Sequence, residues 1–267
     1  MILRFSKYHG TGNDFIMIDN RSSVIRKSET STELIARLCH RHFGIGGDGL
    51  ILINNSRSAD FEMVYFNSDG REGTMCGNGG RCAVAFADRL GLIKENVLFS
   101  AVDGLHQAFI INKERDVTFV KLKMQDVKDI KKNSDDFIID TGSPHLVRFM
   151  NDVEALDVFK EGRKIRYGSP FKEHGINVNF AEVLNDEIFV RTYERGVEDE
   201  TLSCGTGSTA TALAASLSGF CNTADICRIK TKGGDLLVNF NKVTETSFNE
   251  IWLSGPAINA FKGEVNI

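Results

Sequence analysis

One motif, used twice, does most to limit what this chain can fold into. Cys76-Gly77-Asn78-Gly79-Gly80 opens an Ala-rich stretch from Arg81 to Leu90 that stops at Gly91. Cys204-Gly205-Thr206-Gly207 opens a second, Ser208 to Ser218, that stops at Gly219. Glycine just past a helix supplies the left-handed residue that ends it. Both stretches are dominated by small residues, the composition of a helix packed closely on every side. Each follows a strand-like run and a polar loop. The two cysteines stand 128 positions apart in a chain of 267 residues. This spacing predicts an internal repeat: two similar α/β lobes related by a pseudo-twofold, with no low-complexity linker between them.

Short strand-like runs fill most of the remaining sequence. In the first half these are Ile2–Tyr8, Phe15–Ile18, Leu50–Ile53, Phe61–Phe66, Val97–Ser100, His106–Ile111 and Val117–Met124, separated by turn signals such as Asn67-Ser-Asp-Gly70 and Asp103-Gly104. The second half offers Phe137–Asp140, Val178–Val183, Glu187–Tyr193, Cys227–Lys230, Leu236–Phe240 and Ile251–Leu253. Two further segments have helical periodicity. Ser31–Arg41 begins with a Ser/Thr-Glu cap and puts Leu34, Ile35, Leu38 and Cys39 on one face. Asn151–Lys160 reads as a helix capped by Asn151.

Charge narrows the function. With 32 Lys+Arg against 36 Asp+Glu the formal charge is -4, which argues against nucleic acid or an anionic membrane surface as partner. No apolar run approaches the ~18 residues of a membrane span, and the opening residues lack the apolar core of a signal peptide. The expectation is a cytoplasmic protein. In that compartment six cysteines (Cys39, Cys76, Cys82, Cys204, Cys221 and Cys227) are structural thiols, metal ligands or catalysts rather than a disulfide framework. Metal is disfavoured, because no C-x-x-C or H-x-x-H spacing occurs and His40 and His42 point to different sides.

Glycine-rich helix entries present unpaired backbone N–H groups, to which the helix dipole adds partial positive charge. Such a terminus binds an anion. Neither loop is a phosphate-binding Walker sequence or a dinucleotide fingerprint, so a carboxylate is the better anion. A thiol in the same place titrates below its usual ~8.5 and becomes a base or a nucleophile. A lone cysteine beside glycines serves as readily as a small buried apolar residue. Two matched elbows favour chemistry. Thiols on opposite sides of one carbon suit a racemase or epimerase, which removes a proton from one face and returns one to the other.

On these motifs the chain resembles the diaminopimelate epimerase family over essentially its whole length. The resemblance is carried by His9-Gly-Thr-Gly-Asn-Asp-Phe15, Gly44-Ile-Gly-Gly-Asp48, Phe66-Asn-Ser-Asp-Gly70, Cys76-Gly-Asn-Gly-Gly-Arg-Cys82, Gly142-Ser-Pro-His145, Tyr193-Glu-Arg-Gly196 and Cys204-Gly-Thr-Gly207. It implies an α/β (α+β) fold of two pseudo-symmetric lobes, each a barrel-like, mostly antiparallel sheet around a central helix. Residues 1–122 with 256–267 would form the lobe carrying Cys76, and 123–255 the lobe carrying Cys204. It also implies a cofactor-independent, metal-free two-base reaction interconverting LL- and meso-diaminopimelate, a step toward lysine and cell wall, by a homodimer. Carried over by position, Cys76 and Cys204 become the acid/base thiols. Gly77 with Asn78, and Gly205 with Thr206, become the cradle of the reacting carboxylate. Asn13, Asn67, Asn177, Glu194 and Arg195 fall on substrate-holding positions, and His145 and Glu194 where thiols are tuned. An Arg suits the distal carboxylate of such a substrate.

Two positions depart from the family pattern. Ser143 stands where Asn is common, with one donor in place of an amide's two, so that contact is expected to be lost or bridged by water. Gly49 stands where Gln is frequent, which removes a side-chain contact. The alternatives are a proline racemase-like or hydroxyproline epimerase-like enzyme, distinguished by isomerisation of each substrate, and a binding or thiol-redox module, which would not exchange a substrate Cα proton with solvent.

Overall fold

Strands β1 (Ile2–Gly10) and β2 (Asn13–Asp19) form a hairpin through a two-residue turn in which Thr11 and Gly12 both take positive φ, 48° and 87°. Turns of this hand match the twist of the strands they join. The structure is a computed structural model that describes residues 2–25, 31–94, 96–221 and 223–267. Its chain divides into two units, residues 1–122 with 255–267, and residues 123–254.

In the first unit β2 is followed by α1 (Thr32–Cys39), β3 (Gly49–Asn54), β4 (Phe61–Asn67), α2 (Gly77–Arg89), β5 (Asn96–Ala101), β6 (Gly104–Glu114) and β7 (Val117–Lys123). Neighbouring strands pair in chain order. Two pairs are parallel, β2 with β3 and β4 with β5, and each needs a crossover that a helix supplies. Crossover α1 packs Ile35, Leu38 and Cys39 against Leu3, Ile16, Ile18, Leu50 and Leu52 on the outside of the barrel. Crossover α2 goes through the middle, where every residue from Gly77 to Ala87 is buried and β1, β2, β3, β4 and β6 touch it. A helix sheltered on all sides needs no polar face.

The second unit repeats this plan. It runs β8 (Ile130–Asn133), β9 (Asp136–Asp140), β10 (Pro144–Phe149), a 3-10 turn (Val153–Ala155), α3 (Val158–Arg166), β11 (Asn177–Leu184), β12 (Glu187–Glu194), β13 (Asp199–Thr201), α4 (Gly205–Leu217), β14 (Ile226–Thr231), β15 (Gly234–Lys242) and β16 (Phe248–Asn266). The parallel pairs are β10 with β11, crossed by α3, and β12 with β14, crossed by the buried α4. Inside α4 the Thr209 and Thr211 hydroxyls donate to the carbonyls of Gly205 and Gly207, 2.9 and 2.8 Å, so these two buried hydroxyls are satisfied without solvent. Strand β16 has two sets of partners. Its first part, to Ser254, pairs with β15, and a bridge between Val127 and Phe248 closes the ring. Its second part, from Gly255, pairs with β7 and then with β1 and closes the barrel of the first unit.

The strand-like runs fall within strands, except that Val117–Met124 overruns β7 by Met124, and Ser31 caps α1, its Oγ accepting the Leu34 N–H at 3.1 Å. Three expectations change. Helix α2 begins at Gly77 rather than Arg81, and α4 at Gly205 rather than Ser208, so the glycines form the first turn of each helix instead of a loop before it. A Cβ at Gly79 would come within 3.1 Å of the Cys76 sulfur, and one at Gly207 within 2.4 Å of the Asn179 side chain. Glycine is there for close packing. Asn151–Lys160 is not one helix: Leu156 is extended, and Asp157 caps α3 by accepting the Lys160 N–H at 3.0 Å. No helix among the described residues is long and apolar enough to cross a membrane.

Candidate active site

Cys76 is the N-cap of α2. Its backbone is extended, its side chain is half-buried, and its sulfur accepts the Gly79 N–H at 3.2 Å. That bond and the helix N-terminus both favour negative charge on sulfur. Asn13, just past the β1–β2 turn, approaches the same sulfur with Oδ1 at 4.0 Å. The orientation of that amide is fixed from both ends. Its Nδ2 donates to Asp48 Oδ2 at 2.7 Å, a group that can only accept, and its Oδ1 accepts from Asn78 Nδ2 at 3.4 Å. Asn78 in turn accepts from Arg81 at 2.8 Å, a group that can only donate. Asp48 belongs to an ion-pair cluster with Arg41, Asp14 and Lys7. Burial would raise the Asp14 carboxyl, but Arg41 and Lys7 bonded to it hold it well below the usual carboxylate range.

Arg81 is fully buried beneath this elbow. Its guanidinium donates to Gly77 O at 3.2 Å as well as to Asn78, while its Nε has no hydrogen-bond partner. Burial pulls its pKa down to about 10, against the opposing pull of the Cys82 and Cys76 thiols. Cys82 is sealed in the core, where burial lifts its thiol far above the ordinary range. It is no base.

The second elbow has a different support. Cys204 is the N-cap of α4, buried, with its sulfur 3.4 Å from the Thr206 hydroxyl. Thr206 Oγ1 lies 2.9 Å from Nε2 of the fully buried His145, and Thr141 donates to the Thr206 carbonyl at 2.9 Å. Behind the imidazole, Asn179 Nδ2 meets His145 Nδ1 at 3.1 Å. Burial, reinforced by the charge of Arg195, pushes the His145 pKa down to about 3, so the ring is neutral.

The remaining expected residues divide between the two units. Asn67 is exposed at the end of β4, directly opposite Gly49. A Cβ at Gly49 would lie 2.5 Å from the Tyr65 ring, so this chain fills with tyrosine the space a larger residue at 49 would use. Asn177 is buried and engaged: Nδ2 donates to Ser143 Oγ at 2.8 Å and Pro144 O at 3.1 Å, and Oδ1 accepts the Arg195 N–H at 2.8 Å. Ser143 is thus bonded directly to Asn177, within the protein. Arg195 is exposed, its guanidinium donating to His174 O at 3.0 Å, and Glu194 ends β12 opposite Asp199. The structure thus joins Asn13, Cys76, Asn78 and Arg81 in one unit, and His145, Thr206, Cys204 and Asn179 in the other. Arg81 and Asn179 are absent from the expected set. Asn179 had a signal, since it shares a face with Asn177 two residues earlier on a strand whose other residues up to Ala181 are apolar. Arg81 was hidden in what reads as a helical surface charge.

Two strand rings, each around a helix capped by a thiol, define a class of fold found in proteins of several activities. The chain superposes over its full length on a phenazine biosynthesis PhzF-family protein of Bacillus anthracis, with a TM-score of 0.78 at 15% identity. It superposes over 99% on a probable proline racemase of Agrobacterium radiobacter, with a TM-score of 0.70 at 13% identity and 93% of that chain covered. Sequence is more specific. The diaminopimelate epimerase family model matches residues 5–128 and 137–258. The chain is 50% identical to the diaminopimelate epimerase of Flavobacterium psychrophilum over 96% of its own length and 97% of that protein. It is 41% identical to that of Chlorobaculum tepidum, covering 97% and 99%. The chain belongs to the diaminopimelate epimerase family.

Proposed function

We propose that this protein epimerises 2,6-diaminopimelate between its LL and meso forms by two-base proton exchange at one α-carbon, with Cys76 and Cys204 as the bases. Family membership supplies the substrate class. The observation that carries the chemistry is that each unit caps its central helix with a thiol. In one direction a thiolate removes the α-proton from one face and becomes a thiol, while the second thiol delivers its proton to the opposite face and becomes the thiolate. The roles reverse for the other isomer. As the α-carbon becomes planar, charge builds on the adjoining carboxylate. The first-turn amides at Gly77 and Asn78, and at Gly205 and Thr206, are the groups that receive it. Asn13, Asn67, Asn177 and Glu194 hold the amino-acid groups of the substrate, and Arg195 takes the distal carboxylate. Asn177 serves through the loop it fixes, by way of Ser143 and the Arg195 backbone. His145 and Glu194 tune the thiols. The reading includes a homodimer acting in the cytoplasm without metal or organic cofactor, and a product used for lysine and peptidoglycan. The test is dialysed protein with LL-diaminopimelate in heavy water and nothing added. Deuterium at Cα with appearance of the meso form is expected. Recovery of protium-only LL substrate after prolonged incubation would refute the reaction.

A further inference from the structure

We propose that Asn179 is a positioning residue for Cys204: it locks the tautomer of His145, so that the Thr206 hydroxyl gives its hydrogen to the Cys204 sulfur and favours the thiolate. The proposal rests on the reading of Cys204 as one of the two bases.

From Asn179 to the Thr206 hydroxyl, each hydrogen bond has its direction set by the one before it. Asn179 is fully buried. Its NH2 group faces Leu146 O at 2.9 Å, a carbonyl that can only accept, and its Oδ1 accepts the Thr192 hydroxyl at 2.9 Å. The amide is therefore fixed, and its second N–H points at His145 Nδ1, 3.1 Å away. A ring nitrogen that accepts carries no proton, so the neutral imidazole holds its hydrogen on Nε2. Nε2 then donates to Thr206 Oγ1 across 2.9 Å. With that oxygen already accepting from the ring, the hydroxyl hydrogen is free for Cys204 Sγ at 3.4 Å, and a thiolate there, which can only accept, takes it. The opposite tautomer would draw the hydroxyl hydrogen toward the ring and turn oxygen lone pairs on the sulfur. Gly207 leaves room for the arrangement, because a Cβ there would stand 2.4 Å from Asn179 Oδ1 and 3.3 Å from the imidazole.

The imidazole acts here as a fixed dipole and moves no proton. Arg195 is the charge whose field reaches it. On the strands around α4, Arg148, Arg191 and Lys230 are paired with Asp136, Glu200 and Glu187. Asp140 and Glu182 accept backbone N–H groups of Gly142 and of Asp152 and Val153, and Glu194 closes β12.

The experiment measures the pH midpoint of iodoacetamide alkylation at Cys204 and at Cys76 by peptide mass spectrometry, on the substrate-free protein and three variants. A midpoint, unlike a rate, does not scale with how readily the reagent reaches the sulfur. Thr206→Val and Asn179→Leu should each raise the Cys204 midpoint by about one pH unit, roughly a tenfold loss of thiolate, and leave Cys76 unmoved. Thr206→Ser keeps a hydroxyl and should keep the wild-type midpoint. Should Asn179→Leu not fold, the Thr206 pair decides. An unmoved Cys204 midpoint in Thr206→Val, failed rescue by serine, or equal shifts at both thiols would overturn the proposal. Failure of the reaction reading shows separately, as absent deuterium exchange in the wild-type protein, whatever the alkylation midpoints are.

Discussion

Cys76 and Cys82 stand six positions apart, one capping α2 and one inside it, and burial together with place in the helix separates their chemistry. Cys76 caps the helix with an amide N–H on its sulfur, while Cys82 faces the barrel wall, where an unpaired thiolate is too costly to form. Cys76→Ala and Cys204→Ala are each expected to abolish epimerisation of both isomers in the deuterium assay. Cys82→Ser should keep turnover and lower stability by about 1–2 kcal/mol in urea unfolding, since it buries a hydroxyl in an apolar site. His145 makes a pH prediction. Its pKa falls from the usual 6.5 to about 3 on folding, so between those values the unfolded chain binds the extra proton and the folded one does not. Stability is then complete above pH 6.5 and is lost as pH falls toward 3. By pH 5 the loss from this residue is about 2 kcal/mol. In melting curves from pH 7 to 5, His145→Gln should flatten this part of the decline. A decline identical to wild type would show that the ring is protonated in the fold. At this scale the sequence spoke through motifs: both thiols, Asn13 and His145 were legible. Asn179 was marked only by its alternation with Asn177, its partners lying 13 or more positions away, and Arg81, bonded to Gly77 and Asn78 one turn earlier, reads like any helical surface charge.

Helix α3 shows where local propensity misleads. A glycine inside a helix costs about 1 kcal/mol against alanine, so propensity alone marks Gly162 as a site for easy stabilisation. Yet a Cβ there would come within 2.3 Å of the Tyr193 side chain, which is fully buried between α3 and β12. The clash outweighs the propensity, and Gly162→Ala is expected to destabilise by about 1–3 kcal/mol, read by denaturant midpoint. The same region defeated the sequence reading. Asn151 looked like a cap, but Arg191 gathers the carbonyls of Val153, Glu154 and Leu156, ending the 3-10 turn so that Asp157 starts a new helix. A residue 35 or more positions away made that choice. Strand β10 was missed for a plainer reason: it begins at Pro144, after Gly142 and Ser143, and those three residues signal a turn.

For the whole molecule, the doubled elbow foretold a doubled topology, because each elbow is the crossover of one parallel strand pair. The length of β16 was not legible. Gly255-Pro256 reads as a break, but the strand continues through it and changes partners there, from β15 to β7 and β1. A chain ending at Ser254 should therefore lose more than a tail. Hydrogen exchange is expected to show β1 and β7 unprotected in such a truncation, with β9 to β12 still protected. Protection of β1 equal to that in the full chain would contradict the pairing.

The same strand sets an order of events during synthesis. The first 122 residues are made first, but the strand that closes their barrel is among the last, after the whole of the second unit. At the usual pace of ~5–20 residues per second, the edges of β1 and β7 stay unpaired for roughly 7–25 s while the intervening segment is translated. Open strand edges are templates for pairing with other chains. The unit that is translated first is therefore the one that finishes folding last, and its nascent edges are where holding chaperones have most to protect.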